Sequence, residues 1–155
     1  MEKMTIDRID MKILRSLAAD GRMSWRDLAN GIGLSLTPTM RRVKRLEDAG
    51  YITGYHAQVN EELMAGGVSV YVFVTLERQT KEKVELFERE IAKAPQVMSC
   101  FQMTGDSDYI LRVVVNDLNS YQAFLTDTLT RIPGVAHIKS SFSLKTVMHR
   151  IAPML

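Results

Sequence analysis

The feature that most constrains the fold is a change of hydrophobic period near residue 67. Before it, apolar residues recur every three or four positions, as in "DRIDMKILRSLAA" (7–19), which is typical of amphipathic helices. After it, "VSVYVFVTLE" (68–77) is rich in β-branched and aromatic residues, which favours a strand. We therefore predict a helical domain at 1–60 and an α/β domain at 61–155, with the boundary segment "NEELMAGG" (60–67) between their cores.

The first domain predicts three helices that end at glycines. Asp7 is a plausible cap for the first helix, and "SWRD" (24–27) resembles a capping box that opens the second. Gly33 ends the second helix, and only Leu34 lies between it and Ser35. Two short helices joined by a tight turn are typical of a helix-turn-helix. The segment "YITGYHAQV" (51–59) then predicts a small hairpin or wing.

The start of helix three has two readings. Thr37 could cap the helix with Pro38 at its first position, or Ser35 could be the cap with Pro38 still in the first turn. Both readings leave Arg41–Arg45 helical. In either case we expect Met40, Val43 and Leu46 to face inward.

Four basic residues occupy five positions of helix three, at 41–45, in a chain of net charge +2. The usual explanation of such a run is a solvated helix face. Here the three-helix order, the tight turn and the following wing favour major-groove binding to double-stranded DNA, with salt-dependent phosphate contacts. The predicted DNA contacts are Ser35, Thr37, Pro38, Thr39, Arg41, Arg42, Lys44 and Arg45.

The second domain predicts the order β-α-β-β-α-β, a ferredoxin-like split. The expected elements are strands at 68–77, 97–104, 109–115 and 135–148 and helices at 80–94 and 119–132. The predicted fold class is therefore α+β, an N-terminal winged helix-turn-helix domain followed by a ferredoxin-like βαββαβ domain.

The strands are apolar on both faces, yet both helices of such a unit cover only one face. In 68–77, for example, Tyr71 and Phe73 alternate with valines. Soluble monomers avoid a large exposed apolar patch, so we expect copies to assemble through this face. The alternative is that the wing segment of the same chain covers it.

Composition narrows the class of protein. The single cysteine, Cys100, fits a reducing cytosol, the three histidines form no metal-ligand spacing with it, and no apolar run is long enough for a membrane span. The N-terminus is too polar for a secretory signal. Ser107, Ser141, Asp108 and His137 are the only possible parts of a catalytic site, and His137 has no evident orienting partner. We expect a cytoplasmic protein that is not an enzyme and needs no metal or cofactor.

Four stretches resemble the Lrp/AsnC (leucine-responsive/asparagine-regulator) family of transcription factors. They are "IDRIDMKILRSLAADGRMSWRDLANGIGLS", "RRVKRLEDAGYITGYHA", "TGDSDYILRVVVNDLNSY" and "RIPGVAHIKSSFSL", and the resemblance runs from about Ile6 to Val147. The resemblance implies a DNA-binding domain, an α/β sensor domain for a small amino-acid effector, and homodimers joined through their sheets that often form octamers.

The resemblance also implies a sensor site. It carries over to the turn with Gly105, Asp106 and Asp108, to Leu118, and to Ser141, Phe142 and Ser143. A zwitterionic amino acid needs an anion beside its ammonium group and N–H or O–H donors beside its carboxylate. Without the resemblance, "GDSD" is simply a favourable turn. The rival function is a stand-alone amino-acid-binding regulatory module that acts through protein partners.

Overall fold

The computed structural model describes residues 5–150 and divides the chain into two compact units. The break falls between Gln58 and Val59, two residues before the predicted boundary. Residues 148–150 group with the N-terminal unit, and the predicted domain limits at residues 1 and 155 lie outside the described part. We call residues 5–58 the helical unit and 59–147 the sheet unit.

The helical unit contains the three predicted helices. They are α1 (Arg8–Ala19), α2 (Trp25–Ile32) and α3 (Leu36–Asp48). Asp7 caps α1 in a capping box with Asp10, and Ser24 caps α2 by accepting the Asp27 N–H. Gly33 ends α2 in the left-handed region at φ 74°. The core of this unit is formed by Ile13, Leu14, Leu28, Ile32, Val43 and Leu46.

Two predictions for this unit are resolved. Ser35 is the N-cap of α3 and Pro38 lies within its first turn, so the second reading of the helix start is confirmed. The predicted hairpin at 51–59 is wrong, because no strand forms there. Tyr51 and Ile52 instead pack against the helical core and donate their N–H groups to the Leu46 carbonyl, which closes α3.

The sheet unit confirms the predicted βαββαβ order and adds one short helix before it. Its elements are α4 (Glu61–Ala65), β1 (Val68–Leu76), α5 (Lys81–Ile91), β2 (Val97–Gln102), β3 (Tyr109–Val115), α6 (Leu118–Asp127), a 3₁₀ turn (Leu129–Arg131) and β4 (Val135–Phe142). The four strands form an antiparallel sheet in the order β2-β3-β1-β4. No helix among the described residues is both long and apolar enough to traverse a bilayer.

The elements differ from prediction mainly at their ends. The segment predicted as the boundary carries α4, whose cap Asn60 accepts the Leu63 N–H. The predicted helix at 119–132 breaks into α6 and the 3₁₀ turn. The last strand stops at Phe142 instead of continuing to 148. Its partner β1 begins at Val68, and the last backbone hydrogen bond between the two segments runs from Ser143 N to Ser69 O.

Helices α5 and α6 both pack on one face of the sheet. Val70, Val72 and Val74 are fully buried in one core with Phe87 of α5 and Phe124 of α6. Paired residues of antiparallel strands point to the same side, so the sheet's other face is also defined by the register. We call this other side the open face, and it carries Tyr71, Phe73, Phe101, Ile110 and Arg112.

Apolar side chains of the open face remain exposed in the single chain. Phe101 is 60% exposed and Tyr71 is 40% exposed, and Phe73 pairs with Ile110 between them in the register. Helix α4 is bound to the same face, because its first residue, Glu61, forms a bidentate ion pair with Arg112. The predicted two-sided apolar strands are therefore present.

The residue after α4 makes a close backbone contact that only glycine permits. Gly66 has φ 89°, and a Cβ there would lie 2.3 Å from the Asn116 Cα. Gly134 has φ 99°, but a Cβ there would meet only the flexible side chain of Lys83.

We predict that Gly66→Ala destabilises the sheet unit more than Gly134→Ala does. Both variants force an alanine to positive φ, at a cost of about 1–3 kcal/mol. Only Gly66→Ala also forces backbone apart, which adds about 1–3 kcal/mol. Urea unfolding of the two variants measures the difference, and equal losses would contradict the contact with Asn116.

Candidate nucleic-acid interface and effector site

Helix α3 buries a different stripe from the predicted one. Thr39, Val43 and Leu46 are fully buried, whereas Met40 is 45% exposed. Positions 39, 43 and 46 follow the i, i+4, i+7 spacing of one helix face. Thr39 can occupy the core because its hydroxyl donates to the Ser35 carbonyl at 2.9 Å. The expectations that Thr39 contacts DNA and that Met40 faces inward are therefore wrong.

Two of the four basic side chains on α3 are held by helix α1. Arg42 Nη1 lies 2.6 Å from Asp7 Oδ2 and 2.8 Å from Asp10 Oδ1, and Arg45 Nη2 lies 2.6 Å from Asp10 Oδ2. The side chain of Arg42 is only 26% exposed, whereas that of Arg45 is 48% exposed. Arg42 is thus a link between helices, and its predicted contact with DNA stays a prediction.

Two pKa values are shifted in this cluster of charges. The pKa of the Asp7 carboxyl is lowered to about 2, first because it accepts the Asp10 backbone N–H and then because Arg42 bonds to it. Hydrogen bonds to Asp7 and Asp10 raise the pKa of Arg42. The bonds therefore favour the charged forms of Asp7 and Arg42.

The remaining two cations point to solvent. Arg41 is exposed and makes no ion pair with any residue in the range 5–150. Lys44 is 75% exposed and makes only a loose 3.7 Å contact with Asp48. We call Arg41 and Lys44 the outer cations. An exposed ion pair such as Lys44–Asp48 contributes little to stability.

The N-terminal end of α3 offers polar groups to solvent. Ser35 and Thr37 are exposed, and the Ser35 hydroxyl makes no capping bond, while Pro38 is half-buried. The first N–H groups of a helix lack partners within it and carry partial positive charge. This end and the outer cations therefore form one surface suited to a polyanion.

The predicted effector residues of the β2–β3 turn differ in availability. The Asp108 carboxylate accepts the Leu76 N–H at 2.6 Å and the side-chain amide of Gln79, so it already serves the fold. Gly105 has φ 120°, and Asp106 is exposed, with its carbonyl accepting the Thr75 hydroxyl at 3.4 Å. Asp106 is therefore the freer anion of this turn. We call Gly105–Asp108 the turn end.

The other predicted effector residues lie near the end of β4, on both sides of the sheet. Phe142 packs edge-on against Tyr121 of α6, with ring centroids 5.3 Å apart. Leu118 is 62% exposed, one helical turn before Tyr121 on the same side of α6. Ser141 lies on the open face opposite Tyr71, and Ser143 continues the chain. We call Leu118 and Ser141–Ser143 the serine end.

These two ends do not meet within one chain. Asp108 N donates to the Val74 carbonyl, whereas Ser143 N donates to the Ser69 carbonyl. Val74 and Ser69 are five residues apart on β1, which is roughly 16 Å at the rise of a strand. The ammonium and carboxylate of an amino acid share one carbon and cannot reach both ends. The prediction of one site from both groups therefore fails for a single chain.

A separate groove, which no sequence pattern predicted, lies between α5 and the edge strand β2. Its volume is about 310 Å³, and its lining includes Glu88, Ile91, Cys100 and Tyr109. Tyr109 donates to Glu88 at 3.0 Å, and burial raises the pKa of the Cys100 thiol. None of the predicted effector residues lines this groove.

Family models match both units. A winged helix-turn-helix DNA-binding model matches residues 6–53, and an Lrp/AsnC ligand binding domain model matches residues 69–153.

Curated relatives and a solved structure agree with these matches. The Bkd operon transcriptional regulator of Pseudomonas aeruginosa is 66% identical over 150 residues, 97% of this chain and 98% of that protein. The leucine-responsive regulatory protein of Escherichia coli is 40% identical over 130 residues, 84% of this chain and 79% of that protein. A transcriptional regulator of Neisseria meningitidis, solved as an L-Met complex, superposes with a TM-score of 0.92 at 37% identity, covering 97% of each chain. The chain therefore belongs to the Lrp/AsnC family of DNA-binding transcriptional regulators that carry an amino-acid-binding domain.

Proposed function

We propose that α3 reads operator DNA in the major groove and that the outer cations supply its phosphate contacts. The observation that carries this assignment is that Arg41 and Lys44 are exposed beside a helix start bearing Ser35 and Thr37. The first residues of a recognition helix meet base edges, while basic side chains bind phosphates or guanine. Arg45, which is half-exposed, joins them, and Arg42 holds α3 to α1.

We further propose that the chain controls an operon equivalent to the Bkd operon and responds to an apolar amino acid. Its 66% identical relative is named for that operon, another relative is named leucine-responsive, and a similar structure holds L-Met. Leu118 and Phe142 offer apolar surface for such a side chain, and Asp106 offers an anion for its ammonium group.

The separation of the two ends favours an effector site shared between two copies. In this arrangement the turn end of one chain supplies Asp106, and the serine end of another supplies Leu118 and the donors of Ser141 and Ser143. Effector binding then stabilises one assembly over others, which is how it can alter DNA binding.

The assembly we propose is a homodimer joined through the open face, which associates further to an octamer. Phe101 and Tyr71 keep large exposed fractions there, and burying apolar area drives association. A symmetric dimer repeats α3 at a fixed distance, as operator half-sites about 34–36 Å apart require. We propose a cytoplasmic, non-catalytic role, because a regulator must share a compartment with the chromosome.

The proposed DNA contacts can be distinguished by mutation from the cations that stabilise the fold. Arg41→Ala and Lys44→Ala should each weaken binding to duplex DNA and reduce the slope of log affinity against log salt by about one. Lys44→Ala should leave the free energy of unfolding unchanged within about 0.5 kcal/mol, because the side chain is exposed. Arg42→Ala should lower it by about 2–3 kcal/mol, because buried Asp10 loses one of its cations.

Fluorescence anisotropy titrations across salt and thermal melts of the three variants test this division. The duplex is one selected from a random pool with the unmodified protein. An unchanged affinity for both Arg41→Ala and Lys44→Ala would remove α3 as the reading element.

The shared effector site gives a third prediction. Asp106→Ala and Leu118→Ala should each abolish the rise in melting temperature produced by L-leucine or L-methionine. Co-expression of the two variants should restore part of the rise, because some sites then combine an intact turn end with an intact serine end. Asp127→Ala, an exposed charge at the end of α6, serves as the control and should respond normally.

A site built within one chain gives a different outcome. Only one of the two variants then loses the response, and co-expression restores no more than the unaffected chains contribute.

A further inference from the structure

Asp10 is the one charged residue in the described part of the chain that is fully buried. Its carboxylate accepts three hydrogen bonds, from the Asp7 backbone N–H at 3.1 Å, from Arg42 at 2.8 Å and from Arg45 at 2.6 Å. A capping box needs only the first of these bonds. The two arginines come from α3, so Asp10 joins the capped start of α1 to the helix proposed to read DNA.

The two arginines use Asp10 differently. Arg42 is mostly covered and divides one nitrogen between Asp7 and Asp10. Arg45 donates to Asp10 only from Nη2, and its other N–H groups make no hydrogen bond to the described residues. A guanidinium carries five N–H donors in a planar fork, so Arg45 can bind Asp10 and a second acceptor together.

The position of Arg45 places those free donors beside an outer cation. Arg45 lies four residues after Arg41, so the two side chains lie on the same side of α3. An arginine free in solvent samples many rotamers, which docking must restrict. A bond to a fixed, buried carboxylate restricts Arg45 before DNA arrives.

Because of this geometry, we propose that Asp10 is a positioning residue for DNA recognition. It touches no DNA itself and holds the Arg45 guanidinium with its free N–H groups facing a phosphate or a guanine edge. The proposal rests on the proposed role of α3 as the reading helix. It adds that a carboxylate on α1 contributes to the preference for operator over other sequences.

Simple electrostatics predicts the opposite effect of removing Asp10 on DNA affinity. Asp10 is an anion close to a polyanion, so its removal should strengthen binding to every duplex. If Asp10 positions Arg45, its removal should weaken binding to the operator while binding to scrambled DNA stays level or tightens. Asp48→Asn is the matched control, because it removes the same charge from exposed surface at the end of α3.

The experiment uses the full-length chain with the variants Asp10→Asn, Asp48→Asn, Arg45→Gln and Arg45→Lys. Affinities for a selected operator duplex and for its scrambled sequence are measured across salt, well below each variant's melting temperature. We expect Asp10→Asn to reduce the ratio of operator to scrambled affinity about tenfold, and Asp48→Asn to leave that ratio unchanged. The double variant of Asp10→Asn with Arg45→Gln should lose no more of the ratio than Arg45→Gln alone.

Three results would overturn the proposal. They are an unchanged ratio in Asp10→Asn, equal behaviour of Asp10→Asn and Asp48→Asn, and additive losses in the double variant.

If Asp10→Asn does not fold, Arg45→Lys decides the question, since it keeps the charge but lacks the planar fork. Full operator preference in Arg45→Lys would refute the positioning role, and a loss matching Arg45→Gln would support it. Arg41→Ala reports on α3 alone. If Arg41→Ala leaves operator affinity intact, the proposal that α3 reads DNA is wrong. That result is distinguishable from a failure of the proposed role of Asp10.

Discussion

The structure of the sheet unit depends on β1, which lies between β3 and β4 and whose successive residues point to opposite faces of the sheet. Val70, Val72 and Val74 are fully buried against α5 and α6, so the period of two sends Tyr71 and Phe73 to the open face. A one-residue slip would exchange these sets, which the packed helices prevent. The same register fixes where the turn end and the serine end lie and leaves apolar side chains exposed on the open face.

In the helical unit the corresponding constraint is a buried charge. A carboxylate without water is stable only beside cations and donors, and Asp10 has both. Its partners Arg42 and Arg45 come from the basic run that looked uniform in the sequence. The fold therefore divides that run into two tethered side chains, one of them still half-exposed, and the two outer cations.

The element order and the fold class could be predicted from the sequence because hydrophobic period, caps and glycine stops are local signals. The face of α3 was predicted wrongly because Thr39 is polar, and only the nearby Ser35 carbonyl makes its burial possible. The engagement of Asp108 and the distance between the two effector groups depend on strand register, which joins residues more than thirty positions apart. No local pattern contains that information.

The roughly 16 Å that separates the turn end from the serine end has a consequence for how a chain of this kind senses its environment. If each effector pocket needs two copies, a diluted chain loses its pockets along with its partners. Ligand affinity then depends on the concentration of the protein as well as that of the amino acid. A cell that changes the amount of such a regulator also resets the level of nutrient to which it responds.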